Sequence, residues 1–138
     1  MKVGGTNLSY FYFKQFPVIP PEKYTEDEKQ FVISSVKKLV ATSYKMAEAL
    51  ECEVHRYDPE ERALLRARLD AFYANKYSLD RSELEFILDP KEVMENDYPT
   101  ETFPTLKDDD IKKYGEYRTK RLILEAYDEL VKNGLWKD

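Results

Sequence analysis

Cys52 and His55, three residues apart in CEVHRY, are the first side chains whose types suggest chemistry. A Cys/His pair is half of a zinc site. His55 is the only histidine and Cys52 the only cysteine, so no second pair completes four ligands. The same two residues could form a thiol–imidazole nucleophile by type, but nothing around them supports one. His55 is expected to be a turn residue between two helices. Asp108, Asp109 and Asp110 resemble a metal-binding run, yet they stand where a helix is expected to begin and its dipole favours negative charge. Glu60, Glu61, Glu83 and Glu85 have the same helix-start placement. Gly4-Gly5 opens no phosphate loop, since no G-x-x-x-x-G-K-[ST] follows. The remaining carboxylates are too evenly spread to nominate an acid/base pair. The chain alone is expected to be no enzyme and to need no cofactor.

A charge pattern remains. KKYGEYRTKR holds Lys112, Lys113, Arg118, Lys120 and Arg121 against one acid, Glu116, with Tyr114 and Tyr117 interleaved. Basic groups beside aromatics can hold phosphates and stack on bases. A solvated helix face balanced by the preceding aspartates is the plainer alternative. Arg62, Arg66 and Arg68 form a second, weaker cluster. The formal net charge is −5, which counts against autonomous nucleic-acid binding by the chain as a whole.

These side chains must be held by helices. The 138 residues amount to one domain's worth of chain, and aromatics at 14% argue for a packed core rather than disorder. Thr25 with Glu28 makes a capping box, and apolar residues at Val32, Val36, Leu39, Val40, Ala47 and Leu50 predict one helix running to about Glu51. Asp58-Pro59-Glu60-Glu61 starts a second helix, with Leu65, Leu69 and Phe72 on its buried face, ending near Tyr77. Asp80 and Glu83 cap a short third, closed by Asp89-Pro90. Residues 90–107 show no period and predict a surface loop. A last helix is expected from about Asp109 to Lys132, with Gly134 beyond its end. Ahead of all these, Leu8 to Phe16 is aromatic-rich and reads as a strand or strand–helix joint, and Pro17, Pro20 and Pro21 force an extended exit. The expected fold is mostly α: a bundle of about four helices behind a short N-terminal β or irregular aromatic segment. Residues 1–24 would form the strand and its exit, and residues 25–138 a helical domain. The lone cysteine suits the cytoplasm. No apolar run approaches the ~18 residues of a membrane span, and no signal-peptide core opens the chain.

Four stretches, in this order, resemble one family. GGTNLSYFYFKQFPVIPPEKY (Gly4 to Tyr24), RALLRARLDAFYANKYSLDRSELEFILDP (Arg62 to Pro90), DYPTETFPTLK (Asp97 to Lys107) and YGEYRTKRLILEAYDEL (Tyr114 to Leu130) are similar to the C-terminal end of large adenine-specific DNA methyltransferases. Such enzymes occur in type IIG restriction–modification and in phage defence of the BREX kind. The proline-rich exit also resembles, more loosely, the step from recognition domain to helical spacer in type I specificity subunits. The family's catalytic part has an S-adenosylmethionine loop and an Asn-Pro-Pro-Tyr/Phe motif. This sequence has neither; its only Pro-Pro, Pro20-Pro21, lies between Ile19 and Glu22. The resemblance therefore implies a non-catalytic C-terminal part that supports DNA target recognition, with the missing strands in an upstream recognition domain.

On that reading Lys112, Lys113, Arg118, Lys120 and Arg121 are the candidate phosphate contacts, and Thr6, Asn7 and Lys14 face DNA from the aromatic strand. Partners would be DNA, bound weakly by the chain alone, and the upstream methyltransferase. The alternative is a helical assembly module that docks on a methyltransferase core or on itself through an exposed aromatic edge at Tyr10, Phe11 and Phe13. An independent enzyme is a third possibility, carried by no constellation of residues.

Overall fold

The computed structural model describes residues 2–3, 6–7, 14–95 and 100–136, the first two pairs by their backbone alone. The fold is mostly α, as the apolar periodicity and caps predict. At the front, β1 (Lys2–Val3) pairs antiparallel with β2 (Thr6–Asn7), with Val3 opposite Thr6. A 3-10 turn at Pro21–Lys23 then leads to the helices. Among the described residues there are seven α-helices, where periodicity suggests about four.

Each added helix has a local cause. The predicted first helix divides into α1 (Glu26–Val40) and α2 (Tyr44–Ala49). Ser43 interrupts it: its hydroxyl accepts from the Met46 N–H at 3.4 Å and starts a new helix, while the buried Ala41 carbonyl takes the His55 N–H at 2.8 Å. The Thr25–Glu28 capping box forms as expected. α3 (Pro59–Lys76) opens on Asp58, whose carboxylate accepts from the N–H groups of Glu60 and Glu61 at 2.8 and 3.0 Å. α4 (Arg81–Leu88) opens on the Asp80–Glu83 box.

The expected loop over 90–107 instead contains α5 (Pro90–Met94) and the first turn of α6 (Pro104–Tyr114). Pro90 and Pro104 occupy first helical positions, where the missing N–H costs nothing, so prolines that read as stops are starts. The predicted last helix is likewise two. Gly115 turns left-handed at φ 74°, its N–H donating to the Ile111 carbonyl at 2.9 Å, and α7 (Arg118–Asn133) begins three residues later. Asp108, Asp109 and Asp110 therefore lie within α6 rather than at its start. Asp110 serves the next helix instead, accepting the Thr119 N–H at 2.6 Å and capping the first turn of α7.

Gly115→Ala is expected to cost about 1 kcal/mol, and Gly115→Asn less, because only glycine enters this region without penalty. No heavy atom lies within 4 Å of the position an added Cβ would take, so the cost is conformational and not steric. Urea denaturation of the two variants measures it; equal midpoints for alanine and glycine would mean the turn does not hold this conformation.

The core lies between α3 and α7. Ala67, Ala71 and Ala74 present small side chains at helical spacing, which lets α7 approach with Ile123, Leu124, Ala126 and Tyr127, and Leu84 and Leu88 of α4 close the cluster. Glu60 meets Arg118 at one end, and the Tyr127 hydroxyl donates to the Leu79 carbonyl at 2.8 Å at the other, so the two helices run parallel. On the opposite side of α3, α1 runs antiparallel. Lys76 pairs with Glu28 at 2.7 Å, and Arg62 donates to the Leu39 carbonyl at 2.6 Å. The apolar stripe expected on α1 turns out differently: Phe31, Val32, Ser35 and Leu39 are the more enclosed residues, whereas Val36, Val40 and Ile33 are exposed.

Candidate functional site

Sequence alone predicts five cations presented outward by the basic segment, and α6, Gly115 and α7 distribute them instead. Lys112 and Lys113 occupy the last turn of α6 and are exposed. The Lys113 ammonium lies 4.9 Å from the Tyr114 ring centroid, and its pKa is raised chiefly by a hydrogen bond with that tyrosine. Arg118 also meets this ring, 4.6 Å from the Tyr114 centroid, and is paired with Glu60 across to α3. Arg121 is held by two carboxylates, Glu116 at 2.9 Å and Glu125 at 3.1 Å; their hydrogen bonds, Glu116 first, raise its pKa further.

Lys120 is buried. Its ammonium meets Glu92, Asp89 at 3.5 Å and Glu85 at 3.7 Å, so it faces inward and is spent within the fold. Three of the five nominated cations are thus neutralised by the chain's own carboxylates, which leaves Lys112 and Lys113 as the outward pair. The second basic cluster separates too. Arg62 reaches the end of α1 and stacks at 4.7 Å on Tyr57, Arg68 stacks at 5.4 Å on Trp136, and the field of Arg66 acts on Asp70.

Of the N-terminal candidates, Thr6 and Asn7 form β2, and only their backbone is described. Lys14 lies in an exposed turn and already has an interaction within the chain. Tyr10, Phe11 and Phe13 fall outside the described residues. Cys52 is a free, half-buried thiol, and among the described residues no group of three His, Cys, Asp or Glu side chains is placed to hold a metal ion. Among the same residues no helix is long and apolar enough to cross a membrane.

Two features emerge that residue spacing does not reveal. The first is an ion cluster around Asp89. Its carboxylate, buried at the α4–α5 junction, accepts from Lys107 at 2.7 Å and faces Lys120, while Lys107 also pairs with Glu101 at 2.9 Å. Beside it the buried Tyr117 hydroxyl has no hydrogen-bond partner among the described residues. Burial, then the fields of Asp89 and Asp110, push its pKa up to about 12. The second is an apolar cleft of about 410 Å3 beside α3, walled by Tyr73, Tyr77, Ile87, Phe103, Leu106 and Ile123, with Asp70 on its lining. Partners in both features lie far apart in the chain, so no local pattern announces them.

Comparison with protein-family models, with curated proteins and with solved structures finds no match for the chain. Its class thus rests on its own geometry, a mostly α-helical module in which three of the five cations of the basic segment are paired with the chain's own carboxylates.

Proposed function

We propose that this chain is a catalytically inert, C-terminal helical part of an adenine-specific DNA methyltransferase of the restriction–modification kind, supporting target recognition by bracing the recognition domain. The observation that carries the reading is where the family-like residues fall. The Arg62–Pro90 stretch supplies α3 and α4, the Tyr114–Leu130 stretch supplies α7, and the two pack on each other as the core. Resemblance and packing thus coincide on one scaffold. A methyltransferase that flips a base must grip the flanking duplex, and a rigid helical brace keeps phosphate and base contacts in register.

The module's own share of the phosphate contacts falls to Lys112 and Lys113. Reversing both to glutamate is expected to weaken DNA binding at every sequence and to lower the slope of log K against log salt by about 2, near 0.9 per phosphate contact. Reversing Arg121, already held by Glu116 and Glu125, is expected to leave that slope unchanged. Fluorescence anisotropy across a salt series decides; a Lys112/Lys113 variant with the parent's slope removes the basic segment from DNA contact.

One observation favours assembly as the second reading. Ile33, Val36 and Val40 share an exposed strip of α1, and Tyr44 just beyond it is 86% exposed. Docking of this strip on a methyltransferase core or on a second copy would bury it. Light scattering across a concentration series distinguishes self-association from a monomer that awaits its partner domain.

A further inference from the structure

The cleft beside α3 combines an apolar wall, aromatic faces and one unpaired negative charge. Asp70, Tyr73, Ala74 and Tyr77 follow one another along one face of α3 and its C-terminal cap. A second cavity of about 200 Å3 adjoins the first, with Asp70, Leu106 and Thr119 lining both. Asp70 therefore stands at the junction of the two spaces. Its carboxylate has no hydrogen bond and no ion pair among the described residues, and Arg66 on the preceding turn acts on it only through space. Asp70 is exposed, yet partial desolvation raises its carboxyl pKa against the opposing pull of Arg66. In the free chain water meets its charge, and its carboxylate is left uncommitted at the mouth of both spaces.

We propose that this cleft binds a small apolar cation, a primary or secondary ammonium whose charged head pairs with Asp70 and whose hydrocarbon body lies among Tyr73, Tyr77, Ile87 and Phe103. The volume falls in the range of small-molecule sites, which are mostly apolar with a few placed polar groups. Asp70 to Tyr77 spans roughly 10 Å along the helix, the length of an arylalkyl amine. Tyr73 and Tyr77 give the hydrocarbon body an aromatic wall beyond the carboxylate. An anion is disfavoured by Asp70, and a neutral molecule of the same shape gains only the apolar wall.

The test uses the full chain and three probes of matched shape: 2-phenylethylamine, 2-phenylethanol and 3-phenylpropionate. Two-dimensional methyl NMR follows Leu84, Ile87, Leu88 and Ile123 during each titration. The amine is expected to shift these resonances and to bind at least fivefold tighter than the alcohol, with the carboxylate weakest. Asp70→Asn, which keeps the shape, is expected to bring the amine down to the alcohol's affinity. Equal affinities for amine and alcohol in the parent chain, absence of shifts at the cleft methyls, or an amine preference that survives in the D70N chain would each overturn the proposal. The comparison of probes on the parent chain stands even where the variant does not fold.

Discussion

Asp89→Asn is expected to destabilise the protein by about 3–5 kcal/mol, the cost of stranding buried cations. For a chain of this size that lowers the melting temperature by on the order of 10 °C. Asp89 is 2% exposed and joins three elements. Its backbone N–H donates to the Glu85 carbonyl at the end of α4, Lys107 comes from α6 at 2.7 Å, and Lys120 comes from α7 at 3.5 Å. Asparagine keeps the volume and removes the charge, so two largely enclosed ammoniums are left with Glu101, Glu92 and Glu85 alone. Glu92→Gln tests the same lysine from outside. Glu92 is 63% exposed by its side chain, and its loss is expected to cost less than about 1 kcal/mol. Thermal and urea denaturation of the two variants separate the effects. Equal losses would mean that burial does not decide the strength of these pairs.

The same carboxylate predicts an acid limb. Burial works to raise the Asp89 pKa, but the hydrogen bond from Lys107, with the fields of Lys107 and Lys120, holds it below the usual 3.8. A carboxylate depressed in the folded state contributes stability that is fully present above its unfolded pKa and is lost as pH falls through the folded value. Acidification below about pH 4 is therefore expected to narrow the gap between the parent and the asparagine variant.

What is legible in the sequence is local. The Thr25–Glu28 and Asp80–Glu83 capping boxes and the Asp58-Pro59 start each involve partners within three residues, and all three form where the spacing places them. Leu65 and Phe72 face the core as their period implies. A local signal misleads where it has two meanings. Three aspartates suit a helix start, but Pro104 has already begun α6, and Asp110 caps the helix that follows. Val36 and Val40 fit a helical stripe, yet α1 rolls to set Phe31 against Phe72 and leaves them outside. Lys120 looks like part of a solvated basic run because its carboxylate partners lie 28 and 31 residues away. The same distance problem hides the α3 cleft, whose walls come from four helices. Spacing along one helix can say that Asp70, Tyr73 and Tyr77 share a face, but not what lies opposite.

Phe72→Ala is expected to cost about 3–5 kcal/mol, with the loss concentrated on one side of the molecule. Phe72 is 3% exposed and is the hub through which α1 is fastened to α3. Its ring lies 5.4 Å from Phe31, 5.2 Å from Tyr73 in an edge contact and 6.3 Å from Tyr24, and Phe31 continues the chain of rings to Trp136 at 5.3 Å. Besides these rings, α1 is tied by the Glu28–Lys76 pair and the bond from Arg62 to Leu39, one near each end. Two polar ties cannot replace a lost aromatic centre, because net hydrogen-bond contributions are near 1 kcal/mol each. Amide hydrogen exchange should therefore accelerate across α1 well before it does in α7, which keeps its own contacts with the alanine face of α3. Phe72→Leu, which refills most of the volume, is expected to recover more than half of the stability. If exchange in α1 and α7 instead rises together, the two sides of α3 form one cooperative unit. The exposed strip at Ile33, Val36 and Val40 would then be presented on a rigid body rather than on a helix that can yield to its partner.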